Sequence, residues 1–468
     1  MHGVQANVKA ALAYFLGMAN LDIFRIPDIE FILKTAAEGY SASIVGLSNV
    51  GKSTLLRTTC QPEVQARVLG AQTDRFAFIY VDCNLMLTLE PQGFYEVTLR
   101  AAQDLLRRLG KHGHLVDRLN ELYRKIVEPP SEFVVPLSFN DAIDLLSQEL
   151  DRSIVFLFDE FDEPFARLDG RVFLNLRALS DRFGERLNYV VATTTPLTTG
   201  RSADSDVSEF VELFVGHQHV LGMLDARETR AFIADLAKTE GVALDEGELA
   251  FVAEQAGGHP ALIQAVTRVV VSVESGASAL AHIKGLDLAR EWLEDDQIAR
   301  AECGKLWNQL SEEEREALIA LVLDPSASIE PALQSSLVEA GILSGEPLRV
   351  FSAHFAGFVR RQRRARPGAQ SGVWVDVDAG EVSVDGRRIP TLTDLEYRLL
   401  LLLWGRLDKV CDKYQIVETV WGQDYIDEVD DARIEKLVSR LRAKLEQDPA
   451  NPRYLHTVRG RGYKLAGV

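Results

Sequence analysis

Short apolar runs recur through the first half of the chain, each bounded by polar loops and helix-forming stretches. They span residues 42–45, 76–82, 153–158 and 188–193. Continuous apolar runs of this length are typical of strands buried on both faces, and their alternation with helices predicts a parallel sheet of the α/β class. Because ligands of such sheets bind at the carboxyl ends of the strands, we expect the chemistry in the loops that follow these runs.

The second half of the chain has a different pattern. Residues 226–294 are predicted to be helical, and Ser311 with Glu314 has the spacing of a helix-capping box. A basic segment, 360–366, then runs into residues 367–372, whose composition is that of a flexible linker. We place a domain boundary there. The basic segment is either a solvated tether or a contact to a phosphate backbone.

The tail after residue 372 predicts a small mixed domain with an amphipathic third helix. Its predicted elements are strands at 373–377 and 381–384, a turn at Asp385-Gly386, a helix capped by Thr393 and Glu396, helices at about 414–421 and 432–447, and two strands around 460–462. One side of the third helix carries Ile434, Leu437, Val438, Leu441 and Leu445. The other side carries Arg433, Lys436, Ser439, Arg440 and Lys444.

A complete G-x-x-x-x-G-K-S motif follows the run at 42–45 and precedes a predicted helix. In such a loop the backbone N–H groups turn inward around phosphates, Lys52 reaches the outer phosphates, and the Ser53 hydroxyl ligates Mg²⁺. The alternative is a tight glycine turn with a surface lysine. The nucleotide-binding residues predicted from the motif are Gly46, Ser48, Asn49, Val50, Gly51, Lys52, Ser53 and Thr54, and Lys52 is counted as catalytic as well.

The run at 153–158 ends in two acids, which is the Walker B pattern. Asp159 is placed to reach the Mg²⁺ held by Ser53, and Glu160 is placed to orient or deprotonate water. Thr194 follows the run at 188–193 and offers a hydroxyl that would detect the γ-phosphate, with a helix cap as the alternative. The sequence contains no Asn-Lys-x-Asp motif for guanine, so ATP is favoured over GTP.

The composition sets outer bounds on the function. The chain has 468 residues, 47% of them hydrophobic and 26% charged, which fits a globular protein of roughly three domains. We find no run long enough to span a membrane and no secretion signal, and the four cysteines form no close pair. We therefore expect a cytoplasmic protein with reduced thiols, no zinc site and no membrane contact.

The charge of the chain is unevenly distributed. A net charge of −18 argues against a protein that binds nucleic acid over its whole surface. From residue 430 to the end, however, nine Lys and Arg stand against five Asp and Glu, whereas residues 373–429 carry six against twelve. The last part of the tail is therefore the basic part, which permits a local nucleic-acid surface.

Over roughly its last hundred residues the chain resembles the winged helix-turn-helix of the OmpR/PhoB type. The residues that carry the resemblance lie at 392–400, at 440–445, and at 457–463, where the sequence reads Thr-Val-Arg-Gly-Arg-Gly-Tyr. The resemblance implies that the third helix enters the major groove of double-stranded DNA and that the hairpin reaches the minor groove. The implied DNA-binding residues are Arg433, Lys436, Ser439, Arg440 and Lys444 on the helix, and Arg459 and Arg461 on the hairpin.

Two further points qualify this resemblance. An acidic loop, 424–431, occupies the position that in the family often touches RNA polymerase. The usual input of this output module is a phosphorylatable receiver domain, and here a predicted ATPase stands in its place. The alternative is a winged helix used only for protein contacts.

The part of the chain before the tail resembles ATPases of the AAA+/STAND kind. Gly257-Gly258-His259-Pro260 is similar to the Gly-x-Pro motif of STAND ATPases, which implies that His259 and Pro260 lie near the nucleotide; the alternative is a helix-breaking loop. Residues 337–352 look like part of a first winged helix, as in STAND and Orc/Cdc6-like ATPases. The sensor-2 arginine and the Gly-Arg-x-x-Glu box of these families are not apparent, and residues 25–28 stand where the box is expected.

These observations predict an α/β P-loop NTPase sheet with a helical lid, a first winged helix and a C-terminal OmpR/PhoB-like winged helix. The predicted divisions are a core at 1–225, a lid at 226–304, a winged-helix-like domain at 305–360, a linker at 361–372 and a DNA-binding domain at 373–468.

The function that follows is an ATP-regulated transcriptional regulator and slow ATPase that uses ATP, ADP and Mg²⁺. Its expected partners are double-stranded DNA, RNA polymerase, a signal-carrying protein or ligand, and further copies of itself. The alternatives are an Orc/Cdc6-like DNA motor or loader and a non-catalytic interaction scaffold.

Overall fold

The computed structural model describes most of the chain as two units, Met1–Val359 and Arg360–Val468. The described residues are 24–110, 113–199, 201, 205–276, 282–362, 372–376, 381–385, 387–390, 392–421, 431–458 and 460–466.

The first unit is built on a five-stranded sheet. Its strands are β1 (Ala42–Val45), β2 (Phe76–Asp82), β3 (Ser153–Asp159), β4 (Leu187–Thr193) and β5 (Gln218–Val220). They lie in the order β2-β3-β4-β1-β5 and every pair is parallel, which confirms the predicted sheet. Strands β1, β3 and β4 are almost wholly buried, as their apolar runs require.

Seventeen described helices surround or follow this sheet. The first nine are α1 (Ile26–Ala37), α2 (Lys52–Thr59), α3 (Pro62–Leu69), α4 (Pro91–Arg108), α5 (His114–Val127), α6 (Val134–Glu149), α7 (Asp162–Arg167), α8 (Gly170–Phe183) and α9 (Ser205–Val211). The next eight are α10 (Ala226–Thr239), α11 (Glu246–Ala256), α12 (Pro260–Gly276), α13 (His282–Asp295), α14 (Gln297–Asn308), α15 (Glu312–Leu323), α16 (Pro331–Glu339) and α17 (Ala353–Gln362).

Two hydrophobic cores cover the two faces of the sheet. One contains aromatic residues of the sheet and of the helices on that face, among them Phe94, Phe139, Phe158, Phe173 and Phe210. The other begins with α1 and α2 and continues without a break through α10 to α17, as far as Phe355 and Val359. Helices α10 to α17 therefore share one core with the helix that follows the phosphate loop.

The end of the first unit has the outline expected of a winged helix. Helices α15 and α16 precede a short antiparallel hairpin of β6 (Leu343–Ser344) and β7 (Arg349–Val350), and α17 follows. Ser311 and Glu314 form the predicted capping box at the start of α15. The division expected at 304/305 falls inside α14, a single helix that packs in the shared core.

The second unit contains the elements predicted from the tail. They are β8 (Val373–Asp376), β9 (Glu381–Val384), β10 (Arg387–Arg388), α18 (Asp394–Trp404), α19 (Lys413–Val420), α20 (Asp431–Leu445), β11 (Leu455–Val458) and β12 (Gly462–Leu465). Strands β8, β9 and β10 form one antiparallel sheet, and β11 and β12 form a hairpin. Thr393 and Glu396 form the predicted capping box of α18. The fold class is thus confirmed in both units.

Within the described residues, no helix combines the length and the apolar character that crossing a membrane requires.

The turn between α11 and α12 depends on glycine. Gly257 caps α11 with φ 62°, in the left-handed region, and a Cβ atom built there would overlap the carbonyl oxygen of Phe351 in the hairpin region. Gly241, just after α10, has φ 75°, and the backbone hydrogen bonds around it are those of a helix end closed by a left-handed residue. A Cβ atom on Gly241 would meet nothing within 4 Å. The two positions share the left-handed backbone and differ in the space available.

We expect Gly257→Ala to lower the free energy of unfolding by about 3 kcal/mol, since strain and steric overlap add. Gly241→Ala is the matched control and should cost only about 1 kcal/mol, from its left-handed backbone. Urea denaturation of the full chain measures both. Equal losses in the two variants would show that the close approach to Phe351 contributes nothing.

Candidate nucleotide site and DNA-facing helix

The phosphate loop joins β1 to α2, as the motif requires. Asn49 has φ 58° and Gly51 has φ 108°, so two left-handed residues turn the chain back before α2 begins at Lys52. The first N–H groups of a helix have no partner within the helix and attract anions. The strand, loop and helix therefore supply the structural context that the motif needs to bind phosphate.

Lys52 lies inside this loop. Its side chain is buried, and Nζ donates to the carbonyl oxygens of Gly46 at 2.6 Å and Leu47 at 3.1 Å. Burial lowers the pKa of Lys52, and the negative charges of Asp162 and Glu160 oppose that shift. The ammonium group thus lies between the loop and the acids that follow β3.

Asp159 ends β3 and is almost wholly buried. Its Oδ2 accepts a hydrogen bond from the Tyr80 hydroxyl at 2.6 Å, and its Oδ1 accepts one from the Glu160 N–H at 3.1 Å. Burial and the Asp159 charge raise the pKa of Tyr80, which keeps the phenol protonated as a donor. The Arg57 guanidinium lies over the Tyr80 ring, 4.9 Å from its centroid. The carboxylate is therefore held on both oxygens.

Glu160 and Thr194 both lie near Asp162. Glu160 has φ 52°, an uncommon value for a residue other than glycine, and partial loss of hydration together with the neighbouring Asp159 raises its pKa. Thr194 donates to Asp162 Oδ1 through its hydroxyl at 2.6 Å and its N–H at 2.8 Å. The predicted Thr194 hydroxyl is thus engaged by a residue in the first turn of α7.

A divalent cation fits this arrangement only if phosphate oxygens and water supply part of its coordination. Among the described residues, no three His, Cys, Asp or Glu side chains are grouped so as to hold a metal ion. Mg²⁺ usually keeps several waters and binds one or two protein oxygens together with phosphate oxygens. Ser53, in the first turn of α2, and the buried Asp159 fit that role.

His259 and Pro260 lie against the phosphate loop. His259 Nε2 is 2.9 Å from the Ser48 carbonyl oxygen, and its Nδ1 accepts from the Leu262 N–H at 3.4 Å, so the bonding pattern assigns the proton to Nε2. Pro260 Cγ lies 4.0 Å from the position that a Cβ atom on Gly51 would take. The Gly257-Gly258 turn therefore does more than end a helix; nucleotide contact by His259 and Pro260 stays a prediction.

Three residues outside the predicted binding set also hold the loop. Gln309 accepts from the Ser48 N–H at 2.9 Å and donates to the Ser48 hydroxyl. Glu302 Oε2 accepts from Asn49 Nδ2 at 2.7 Å. Arg25, at the position of the expected Gly-Arg-x-x-Glu box, donates from Nη2 to the Val50 carbonyl oxygen at 2.9 Å.

In the second unit, α20 separates its apolar and basic faces as expected. Ile434, Leu437, Val438, Leu441 and Leu445 are buried, and Arg433, Lys436, Ser439 and Arg440 are exposed. Arg461 is exposed at the tip of the β11–β12 hairpin, and Arg459 lies outside the described residues.

Lys444 differs from the other basic residues predicted on α20. Its Nζ pairs with the buried carboxylate of Glu396 at 2.7 Å. The neighbouring Arg442 donates to the Leu455 carbonyl oxygen at 2.8 Å and to the Thr457 hydroxyl at 2.8 Å. These two cations therefore attach α20 to α18 and to the hairpin, and a DNA contact by Lys444 would compete with its ion pair.

Comparison with known proteins identifies the C-terminal part. Residues 386–465 match the family model described as transcriptional regulatory protein, C terminal. Sensory transduction protein RegX3 of Mycolicibacterium smegmatis is 45% identical over 95 residues, which are 20% of this chain and 40% of that protein. RegX3 of Mycobacterium leprae is 45% identical over 91 residues, 19% of this chain and 44% of that protein. The C-terminal part is a domain of this OmpR/PhoB type, and the chain spans less than half the length of these relatives.

Solved structures also resemble parts of this chain. The Walker-type ATPase paby2304 of Pyrococcus abyssi is 16% identical, with a TM-score of 0.46, covering 72% of this chain and 96% of that one. The Aeropyrum pernix ORC2 protein is 13% identical, with a TM-score of 0.42, covering 74% and 96%. The RstA DNA-binding domain of Klebsiella pneumoniae is 25% identical, with a TM-score of 0.19, covering 20% and 92%.

The burial of His259 makes stability depend on pH. Burial lowers its pKa to about 4, so the imidazole stays neutral in the folded protein, whereas the unfolded chain binds a proton below the ordinary pKa of 6.5. Because the unfolded chain then carries more protons, stability falls as pH falls from 6.5 toward 4, by about 1.4 kcal/mol per pH unit. Replacing His259 with Gln, which keeps a donor, should remove about 1 kcal/mol of the stability difference between about pH 7.5 and about pH 5.5.

Urea denaturation of both proteins at the two pH values tests this. The other titrating groups are the same in the two proteins. The difference between wild type and variant in the pH dependence of the unfolding free energy therefore reports on His259. Parallel dependences would mean that His259 is not held neutral in the folded state.

Proposed function

We propose that this protein is a nucleotide-regulated transcriptional regulator, in which an ATP-binding unit controls a C-terminal DNA-binding domain. The observation that carries the proposal is that one chain contains a complete phosphate loop facing paired acids and a domain of the transcriptional regulatory family. The first feature is chemistry for binding and hydrolysing a nucleoside triphosphate, and the second reads double-stranded DNA in its family.

The nucleotide would be bound by the loop residues 46–54, with the Lys52 ammonium exchanging its two carbonyl partners for phosphate oxygens. The Ser53 hydroxyl and Asp159 would hold Mg²⁺, which when bound neutralises the charge that develops on the phosphates. The hydrogen bonds to Asp159 from Tyr80 and from the Glu160 N–H fix the carboxylate for this role.

Hydrolysis would depend on Glu160 and Thr194. A carboxylate with a raised pKa is a better proton acceptor near neutral pH, and Glu160 directly follows the buried Asp159 at the end of β3. Thr194 would sense the outer phosphate through Asp162, which approaches the Lys52 charge. We propose slow turnover, used as a switch and not as a motor.

DNA binding would be performed by the exposed face of α20 and by the hairpin tip. Arg433, Lys436, Ser439 and Arg440 lie on that face, and Arg461 lies at the tip. The RNA polymerase, a signal-carrying protein or ligand, and further copies of the chain are proposed partners. The site of action we propose is the cytoplasm.

A second candidate is an Orc/Cdc6-like motor or loader acting on DNA. It is favoured by the winged-helix-like arrangement of α15, α16, β6, β7 and α17 within the ATPase unit itself. Fast ATP turnover that duplex DNA stimulates would support the motor, and slow turnover with tight retention of ADP would support the switch.

We expect Lys52→Ala to weaken ATP binding at least about tenfold, because the outer phosphates lose their cation. Glu160→Gln should leave ATP affinity unchanged and slow hydrolysis by about 10² to 10⁴. Lys34→Ala is the control, since Lys34 is an exposed lysine of α1 paired with Glu30. Calorimetric titration and phosphate release measure the two effects. An unchanged ATP affinity of the Lys52 variant would overturn the nucleotide site.

We expect the full chain, and a fragment from about residue 371 to 468, to bind duplex DNA with an affinity that falls as salt rises. Lys436→Ala or Arg440→Ala should cost roughly 1 to 3 kcal/mol and relax sequence preference, because a base-edge contact is lost. Arg461→Ala should weaken binding to all DNA sequences alike, and it should reduce the slope of log affinity against log salt concentration by about one.

The duplexes are those that the wild-type protein selects from a random library. Arg387→Ala, on the exposed strand β10, makes the same charge change away from α20 and is the control. A fragment that shows no salt-dependent binding would leave the domain as a protein-contact module.

A further inference from the structure

The tip of the phosphate loop is held by side chains from the helices that follow the sheet in the first unit. All three polar groups of Ser48 are engaged: Gln309 bonds its N–H and its hydroxyl, and His259 bonds its carbonyl oxygen. The next residue, Asn49, donates to Glu302. Glu302 lies on α14 and Gln309 directly follows that helix, so one helical segment holds two consecutive loop residues.

These contacts occupy groups that bind phosphate. In this motif the backbone N–H groups surround the phosphates and the lysine reaches the outermost ones. The Ser48 N–H donates to Gln309, and the Lys52 ammonium donates to Gly46 and Leu47. A triphosphate needs more of these donors than a diphosphate does. Its binding therefore breaks more of the hydrogen bonds that the loop makes with the protein.

Glu302 adds an unfavourable charge. Its side chain is 11% exposed; one carboxylate oxygen is bonded to Asn49 and the other pairs with Lys305, whose side chain is 44% exposed and therefore hydrated. A triphosphate carries more negative charge than a diphosphate. Repulsion from a buried carboxylate at the loop tip is screened less than at the surface, and it acts more strongly on the more highly charged ligand.

We propose that Glu302 and Gln309 set the nucleotide selectivity of the loop, favouring a nucleoside diphosphate over the corresponding triphosphate. This inference rests on the proposed nucleotide binding and names two specificity-determining residues for it. Glu302 acts through charge and Gln309 through the hydrogen bonds of Ser48.

The test measures the affinities of ADP and of a β,γ-imido analogue of ATP, both with Mg²⁺, for the full chain by calorimetric titration. Glu302→Gln keeps the size of the side chain and removes its charge, and Gln309→Ala removes both bonds to Ser48. We expect each variant to lower the ratio of triphosphate to diphosphate dissociation constants by about fivefold, at the lower end of typical coupling between sites. Glu313→Gln, an exposed acid of α15, makes the same charge change and should leave the ratio as in the wild type.

The outcomes separate this inference from the proposed function. If the wild-type protein binds neither nucleotide, the nucleotide site itself is wrong. If the wild type binds both and neither variant changes the ratio, the site stands and the selectivity role of Glu302 and Gln309 is wrong. A parallel loss of affinity for both nucleotides would also overturn it, because the two residues would then only hold the loop. Thermal unfolding of each variant confirms that the comparison is made on folded protein.

Discussion

The hydrogen bonds of Ser48 are the constraint on which the rest of the first unit depends. When a loop turns its N–H groups inward, its carbonyl oxygens need hydrogen-bond donors from elsewhere in the protein. A buried polar group without a hydrogen bond lowers the stability of the fold. Here His259 bonds the Ser48 carbonyl oxygen and Arg25 bonds the Val50 carbonyl oxygen, while Gln309 accepts from the Ser48 N–H. The loop is therefore complete only when the helices that follow the sheet are packed against it.

That packing joins the phosphate loop and the helical region through one hydrophobic core. The core that begins with α1 and α2 continues through the helices to Phe355 and Val359. Because packed cores change between discrete arrangements more readily than they deform continuously, a change at Ser48 has a direct route into this region. A ligand shifts such an equilibrium only by the difference between its affinities for the two arrangements. A nucleotide would bind the two arrangements with different affinities because it competes for the polar groups at the loop tip.

Local sequence patterns predicted much of this structure. Hydrogen bonds between residues far apart in the sequence could not be predicted from them. The phosphate loop and the Thr393–Glu396 capping box are encoded within a few consecutive residues, so the sequence alone indicates them. The bond from Gln309 to Ser48 joins residues 261 positions apart, and the bond from Tyr80 to Asp159 joins residues 79 apart. Such pairs leave no periodicity to detect. Strand β5 was missed because it has three residues and is only half buried.

The basic tail shows why composition overstates a DNA surface. The excess of Lys and Arg after residue 430 includes Arg442 and Lys444, which hold α20 to the hairpin and to α18. The exposed face is consequently narrower than the charge count implies, on a chain whose net charge is −18. A narrow cationic face neutralises few phosphates and gives modest affinity by itself. Joining two such faces would raise the affinity without any new contact, so under the proposed function the nucleotide unit would govern DNA binding by controlling assembly.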